Sequence, residues 1–415
     1  MDSLTFIHAA DLHLGSTVPE AYLASDRDMK TKLENSGRRA IEKMVDNAIT
    51  SSVDFIILAG DLFDQQNRSI KSQLYLKKQF ERLHNNNISV YIVFGNHDPV
   101  NEDYFSMNWP DNVNIFDTKP ELKIFYKGNK AAAHLYGCSY PRSSFKENIA
   151  AGYLRKEGAP YHIGILHGQL RQNHDHLPYA PFDLQDLTAK HFDYWALGHI
   201  HKRLQLAENI CYPGSIQGRS KKETGEKGYL LISLNPVGTS VTFHPAADIA
   251  FERLIVDTTS CSGVDDLTEA VFKASEKFLN RTEAGFWIEL QLTGCSIQGV
   301  QLKDEEAEAE WLEVLNESGK EETPFLYFYN IINNVKSISQ LNSEAPPFLI
   351  DIERAAEEIR DDKTVLEKHW KELLQHSAAR KYMASIPESE KDKLIEEAHQ
   401  WIVDSWWRRE NHEDN

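Results

Sequence analysis

Asp11 and His13 stand one residue apart, as do His199 and His201, and between the two pairs come Asp61, Asp64, Asn96-His97-Asp98 and His167. Each group closes a short apolar run: Ala9-Ala10-Asp11-Leu12-His13, Ala59-Gly60-Asp61-Leu62-Phe63-Asp64, Phe94-Gly95-Asn96-His97-Asp98, Leu166-His167-Gly168 and Leu197-Gly198-His199-Ile200-His201. One Asp-x-His is a weak signal, because a histidine beside an apolar run is a satisfied structural group rather than a ligand by roughly 5 to 1. Five such run ends change those odds. The donors are three oxygens (Asp11, Asp61, Asn96) and four imidazoles (His13, His167, His199, His201), without thiolate. That set suits manganese or iron and also accommodates zinc. Seven donors are too many for one catalytic ion with an open position, but suit two divalent ions about 3.5 to 4 Å apart bridged by a carboxylate.

The elements that must position these groups are legible as alternating patterns. Leu4 to Ala9, Phe55-Ile56-Ile57-Leu58 and Val90-Tyr91-Ile92-Val93 read as strands. Between them Ala40, Ile41, Met44, Val45 and Ala48 recur at helical spacing within Leu33 to Ile49, and Lys71 to Asn87 is amphipathic. Runs at Ala131 to Tyr136, Tyr161 to Leu166, Tyr194 to Leu197, Gly228 to Leu234 and Val241 to Phe243 predict further strands with fewer helices between them. The expectation is a layered α/β domain over residues 1–250, with the polar groups at strand carboxyl ends, where open α/β sheets keep their sites. Near Phe251 the pattern resets to strand (Phe251 to Asp257), helix (Asp265 to Leu279, with Asp265 a possible cap) and strand (Phe286 to Leu292). An acidic stretch and a strand at Phe325 to Ile332 follow, giving a small α+β domain over residues 251–345. Pro346-Pro347 marks the start of a charge-rich helical region, 346–415.

The chain has 415 residues and a net charge of -18. Residues 1–250 hold 27 Lys and Arg against 28 Asp and Glu, and residues 251–415 hold 18 against 35, so nearly all the acidity lies in the second part. Histidine divides 13 to 4 across the same cut. No signal-peptide pattern opens the chain and no stretch approaches a transmembrane length, so a cytoplasmic protein without membrane attachment is expected. Cys138, Cys211, Cys261 and Cys295 are unpaired in spacing and read as buried thiols.

The ordered series Asp-x-His, Gly-Asp-x-x-Asp, Gly-Asn-His-Asp, His-Gly and Gly-His-x-His resembles that of calcineurin-like metallophosphoesterases. Gly60-Asp61-Leu62-Phe63-Asp64 and Ala10-Asp11-Leu12-His13-Leu14-Gly15 look specifically like the bacterial SbcD-type DNA repair nucleases and their YhaO-like relatives. The resemblance covers about residues 4–220. It implies a β-sandwich flanked by helices, with Asp11, His13, Asp61 and His201 on a first ion and Asp61, Asn96, His167 and His199 on a second, Asp61 bridging. By the same resemblance His97 faces the scissile phosphate as general acid or electrostatic clamp, Asp98 orients His97 or its loop, and Asp64 holds a ligand from behind.

The motif series fits a DNA nuclease, a phosphodiesterase or phosphatase on a small nucleotide or protein, or, with an inert site, a DNA-end-binding scaffold subunit. Resemblance favours a manganese-dependent DNA exonuclease or endonuclease, dimeric and paired with an SMC-like coiled-coil ATPase of the SbcC type. Lys202, Arg203, Arg219, Lys221 and Lys222 follow the last motif and are candidates for DNA phosphates, with a solvated loop the equal alternative. Tyr212-Pro213-Gly214-Ser215 is expected to support the site. His174 and His176 either line a groove or are ordinary loop histidines. Leu394, Ile395, Ala398, Trp401, Ile402 and Trp406 share one helical face, with Trp407 beside them, and suit either a partner helix or the chain's own domain.

Overall fold

A computed structural model describes residues 3–16, 26–64, 69–100, 107–171, 179–261, 263–281, 283–294, 305–335, 347–361, 395, 398, 399, 401 and 402. Cys295, His174, His176, Leu394, Trp406 and Trp407 lie outside these residues. Two six-stranded sheets form the centre of the first part. One contains β1 (Leu4–Ala9), β2 (Phe55–Ala59), β3 (Ser89–Val93), β4 (Val113–Ile115), β11 (Gly228–Asn235) and β12 (Gly238–Pro245), in the order β12-β11-β1-β2-β3-β4. Strands β1 to β4 run parallel, and β11 closes antiparallel on β1. The other contains β5 (Glu121–Lys127), β6 (Lys130–Gly137), β7 (Tyr161–His167), β8 (Tyr194–Gly198), β9 (Leu204–Ala207) and β10 (Ile210–Tyr212), in the order β5-β6-β7-β8-β10-β9.

Alternation along each strand divides its side chains between two cores. Phe6, Phe55, Ile57, Ala59 and Val93 meet Leu135, Ile163, Ile165, Tyr194 and Ala196 in a core drawn from both sheets. The opposite faces of β1 to β3, with Ile7, Ile56, Leu58, Val90 and Ile92, pack on helices α1 (Arg27–Thr50) and α2 (Ile70–His84) through Ile41, Met44, Val45, Leu76, Phe80 and Leu83. Trp195 and Leu197 of the second sheet pack with Tyr153 and with Leu187 of α3 (Leu184–Thr188). The mixed α/β layering expected from sequence is the architecture observed. A polar link crosses the sandwich where His8 on β1 reaches the Leu197 carbonyl with Nε2 at 3.1 Å and the Tyr194 hydroxyl with Nδ1 at 2.9 Å. Burial pushes its pKa down to about 3, so the ring is neutral, with Nε2–H donating and Nδ1 accepting.

Helix α1 begins six residues before the predicted start. Asp26 caps it by accepting from the Asp28 and Met29 amides, and the polar first turns hide the stripe that becomes regular only at Leu33. Gly37, inside this helix, stands apart. A glycine there costs about 1 kcal/mol against alanine, yet a Cβ built at Gly37 meets no atom within 4 Å.

The chain forms two compact units, 1–252 with 281–288 and 320–329, and 253–280 with 289–319 and 330–415. Strands β13 (Ile249–Asp257), β14 (Gly285–Thr293) and β15 (Phe325–Asn333) make a three-stranded sheet in that order. In the second unit α4 (Val264–Ser275) and α5 (Glu305–Gly319) are tied by Trp311 Nε1 donating to Thr268 Oγ1 at 3.0 Å. Gly263, not Asp265, occupies the cap of α4, and Asp265 and Asp266 fall in its first turn, where carboxylates favour the helix dipole. Helix α6 (Pro347–Asp361) opens the last region. No helix among the described residues is long and apolar enough to cross a membrane.

Truncating Ile57→Ala, fully buried between the sheets, is expected to destabilise the first unit by about 2–5 kcal/mol. Urea unfolding followed by tryptophan fluorescence reads this as a lowered midpoint.

Candidate metal centre

Strands β1, β2, β3, β7 and β8 all end at one edge of the sandwich, and the candidate donors sit at or just beyond their last residues. The loops after β1 and β2 run side by side, the amides of Asp11, His13 and Leu14 donating to the carbonyls of Gly60, Asp61 and Leu62 at 2.9–3.0 Å. Asp11, His13, Asp61 and His199 have φ of 52°, 41°, 53° and 99°. Non-glycine residues rarely occupy this left-handed region, and such strain persists only where neighbouring contacts over-determine it. Glycine enables the closest approaches. A Cβ on Gly60 would fall 2.2 Å from His167 Nδ1, and one on Gly95 would fall 2.3 Å from Asp61 Oδ1 and 2.7 Å from His167 Nε2.

The donor atoms converge in groups. Asp11 with His13 and His201, His13 with Asp61 and His97, and Asp61 with His167 and His199 each bring their ligand atoms within 4.8 Å of one another. Asn96 Oδ1 joins the third group, 3.0 Å from His167 Nε2 and 3.1 Å from His199 Nδ1. The seven residues expected from sequence therefore lie together.

Hydrogen-bond chemistry tests whether a cation fits. His167 Nδ1 donates to the Ala59 carbonyl at 2.9 Å, which turns Nε2 toward Asp61 Oδ2 at 3.3 Å and the Asn96 oxygen. His201 Nδ1 meets Glu223 Oε1 at 2.9 Å, and its Nε2 faces His13 Nε2 at 3.1 Å. His199 Nε2 lies 3.3 Å from Gln169 Oε1, with Nδ1 turned inward. Imidazole lone pairs thus face acceptors or each other, and Asp61 Oδ2 finds no hydrogen-bond partner among the described residues although it is buried. Such an arrangement is repulsive without protons or positive ions between the donors, and neutral His with carboxylate is the donor set of divalent metals. The outward nitrogens are held by a carbonyl, an amide and a carboxylate, the usual way a ligating imidazole is oriented.

The ionisation shifts agree. Burial raises the pKa of Asp11, while Asp61, despite burial, is held well below the usual carboxylate range by His167 and His13. Burial opposes the His167 cation, but Asp61 overcomes it and raises the pKa to about 9. Burial holds His13 well below the ordinary imidazole value.

A family model described as Calcineurin-like phosphoesterase matches residues 4–203. A Bacillus subtilis (strain 168) protein described as uncharacterized metallophosphoesterase YhaO is 39% identical over 382 residues, 89% of this chain and 91% of that protein. The chain belongs to the calcineurin-like metallophosphoesterase family. It is also similar to DNA double-strand break repair protein Mre11 of Methanocaldococcus jannaschii, 29% identical over 247 residues, 56% of this chain and 63% of that one. Mre11 of Sulfurisphaera tokodaii is 29% identical over 213 residues, 49% of this chain and 50% of that one. Calcineurin-like metallophosphoesterases use divalent metal ions, in keeping with the donors assembled here.

Beside the metallophosphoesterase donors, His97 is less enclosed. Its amide donates to Asp61 Oδ1 at 2.9 Å, and its Nδ1 lies 3.4 Å from Asp64 Oδ1. The Asp64 carboxylate raises the His97 pKa against the effect of burial, and Asp64 is itself held far below its ordinary value, chiefly by His97. Among the described residues Asp64 bonds or pairs directly with His97, Ser16 at 2.9 Å and Arg219 at 3.9 Å, whereas it was expected to hold one of the metal donors from behind. Asp98 is fully buried and accepts from the amides of Gly95, Leu62 and Phe63, pinning the loop after β3 to the loop after β2.

Of the five basic residues, Arg219 reaches the centre. It reaches Ser16 Oγ at 3.1 Å, Glu223 Oε1 at 3.2 Å and His201 Nδ1 at 3.2 Å. Arg203 stacks 3.9 Å over the Phe243 ring and pairs with Glu226 at 3.8 Å, while Lys202, Lys221 and Lys222 are exposed. Gly214 and Ser215 support the His201 loop, the Ser215 amide donating to the His201 carbonyl at 3.2 Å. Gln169, Glu223 and Lys227, whose Nζ donates to the His201 carbonyl at 2.8 Å, escaped the sequence reading. Burial holds Glu223 up, but His201 and Arg219 bring it down to about 2, so it is ionised at neutral pH.

Two outcomes are expected. Gly95→Ala should keep the far-ultraviolet circular dichroism of the wild type yet weaken Mn2+ binding at least 100-fold in calorimetry, since the methyl group would occupy donor space. Because a cation requires neutral His167 and that ring is protonated below about 9, ion binding near pH 7 should release protons, and affinity should rise as pH increases toward 9. Calorimetry in buffers of different ionisation enthalpy measures that release.

Proposed function

We propose that this chain is a two-metal phosphodiesterase that cuts DNA, the nuclease subunit of a DNA-end-processing complex. The observation that carries the reading is the convergence of seven oxygen and nitrogen donors whose lone pairs face one another around a buried Asp61 oxygen that no described residue hydrogen-bonds. In this reading Asp11, His13, Asp61 and His201 hold one ion and Asp61, Asn96, His167 and His199 the other. Divalent ions, with manganese the proposed pair, supply Lewis acidity toward the phosphate and the attacking water. The chain's own residues supply the remainder. His97, whose protonated form Asp64 favours, gives a proton to the departing oxygen, and Asp98 fixes the loop that carries it. Arg219, with Lys202 and Arg203 before it and Lys221 and Lys222 after it in the chain, meets the DNA phosphates.

DNA as substrate is supported by the likeness to proteins described as DNA double-strand break repair protein Mre11. We assign the nuclease domain to residues 1–250, a capping domain to 251–345 and partner binding to 346–415. There Trp401 and Ile402 are exposed while Ile395 is buried, in keeping with a helix that offers one apolar face. An SMC-like coiled-coil ATPase of the SbcC type is the proposed occupant, in a complex built on a dimer of this chain.

The test incubates the full chain with Mn2+, then with chelator, against linear duplex DNA, single-stranded DNA and a small chromogenic phosphodiester. DNA degradation that Asp61→Ala abolishes is expected; turnover of the small ester with DNA left intact would sink the nuclease reading. His97→Ala should retain the ions and lose about 10²- to 10⁴-fold in kcat, and loss of metal in that variant would show the role of His97 to be misassigned. Since Asp64 raises the His97 pKa, Asp64→Asn should move the alkaline limb of the pH–rate profile toward lower pH, because the acid form is then lost sooner.

A further inference from the structure

The imidazoles of the centre are backed by unlike groups. His167 Nδ1 donates to the Ala59 carbonyl at 2.9 Å and His199 Nε2 to the Gln169 amide oxygen at 3.3 Å, so both rings assigned to the second ion rest on neutral acceptors. His201, assigned to the first, places Nδ1 2.9 Å from a carboxylate oxygen, Oε1 of Glu223. Arg219 Nη2 is 3.2 Å from that oxygen and from the same ring nitrogen. A guanidinium only donates and a carboxylate only accepts, so one Nδ1 cannot bond to both. The closer oxygen takes its proton, which leaves the lone pair on Nε2, the atom that faces His13 and Asp11. A tight turn delivers Glu223: its amide donates to the Ser220 carbonyl at 2.9 Å, its Oε2 accepts from the Arg219 amide at 3.1 Å, and a Cβ on Gly218 would fall 2.9 Å from its carbonyl. The His201 carbonyl is tied as well, accepting from Lys227 Nζ at 2.8 Å and from the Ser215 amide at 3.2 Å.

A carboxylate behind an imidazole fixes its tautomer and makes the far nitrogen a stronger donor than an amide or carbonyl does. The direct donors differ in the same direction: the first pocket has the carboxylates of Asp11 and Asp61, the second has Asp61 and the neutral oxygen of Asn96. Arg219 and Lys227 offset part of the Glu223 charge, but they bond to Glu223 and to the His201 carbonyl, which leaves Asp11 and Asp61 to the ion. We propose that Glu223, acting through His201, is the positioning residue that makes the two pockets unequal. The pocket of Asp11, His13, Asp61 and His201 fills first and keeps its ion, and the pocket of Asp61, Asn96, His167 and His199 exchanges with the surroundings. The inference rests on the two-ion reading above and adds a regulation to it. At limiting Mn2+ the chain holds one ion, and hydrolysis follows the concentration that fills the second pocket.

The test titrates the metal-free full chain with Mn2+ by calorimetry and follows the Mn2+ spin-resonance signal at one and at two equivalents. The wild type should show two steps at least about tenfold apart, with the signal of an isolated ion at one equivalent and of a coupled pair at two. Glu223→Gln keeps the shape and an acceptor but removes the charge, and should weaken the tight step about 10- to 100-fold while the looser step, whose retention reports the fold, stays in place. Gln169→Ala should weaken the looser step alone. Arg219→Ala relieves Glu223 of its cation and should leave the tight step as tight or tighter. A tight step unmoved by Glu223→Gln overturns the proposal, as do wild-type steps that cannot be separated. An equal loss in Arg219→Ala also overturns it, because Glu223 would then be only the anchor of that arginine. One ion per chain at saturation would instead bring down the two-ion reading on which the proposal rests. Steps that split and shift as expected in a chain that leaves DNA intact would fail the nuclease reading alone, and the role of Glu223 would stand.

Discussion

Two carboxylates at the floor of the centre, Asp11 and Asp61, are almost entirely withdrawn from solvent, and among the described residues Asp61 Oδ2 has no hydrogen bond of its own. A buried charge left in that state costs several kcal/mol unless something positive sits beside it. Much around it follows from that constraint. The imidazoles of His167 and His13 are turned to face Asp61, and the backbone amides nearby are spent on fixing the carboxylates, His97 N–H on Asp61 and His199 N–H on Asp11. Protonation of His167 answers part of the cost in the absence of ions. Divalent cations answer it more fully, because they neutralise both carboxylates and satisfy the facing lone pairs together.

The sandwich is what makes such crowding possible. Parallel strands β1, β2 and β3 of one sheet and β7 and β8 of the other end at the same edge, so donors far apart in sequence arrive within a few ångströms. The ends must then turn at once, and four donors do so in left-handed backbone at about 1–3 kcal/mol each. A large apolar core between and outside the sheets absorbs that strain. Asp98 adds to the restraint with bonds to Gly95, Leu62 and Phe63, joining the two loops whose residues would bridge the ions.

Much of this was legible in the sequence because each donor directly follows an apolar run, so the chemistry and the strand that positions it appear in the same few residues. The Asp-x-His and His-x-His pairs needed no knowledge of the sheet order. The remainder was not legible for specific reasons. Gln169 serves His199 only because β7 and β8 are paired, a contact no local pattern records. Glu223 sits beside Arg219-Ser220-Lys221-Lys222, where its charge reads as part of a solvated turn, yet it is half of a partly buried pair with His201. Strands β4, β5, β9 and β10 are short or largely exposed and lack an apolar run to announce them. The cap of α4 at Gly263 shows the same limit: aspartates in a first turn and at a cap look alike in sequence.

Arg219 joins the two halves of the site in a way that neither motif nor fold suggests. One guanidinium lies between Asp64, which raises the His97 pKa, and Glu223, which orients His201. Its charge lowers the Glu223 pKa and opposes protonation of His97, whereas Asp64 favours that protonation. The acidity of His97 is therefore a balance between a carboxylate and an arginine rather than the property of one neighbour. An incoming phosphodiester would enter this balance from the open side: its negative charge near Arg219 weakens that arginine's hold on Glu223 and favours the His97 cation. In the proposed reaction, substrate charge would in this way help prepare His97 as proton donor, while His201 keeps its orientation through its bond to Glu223.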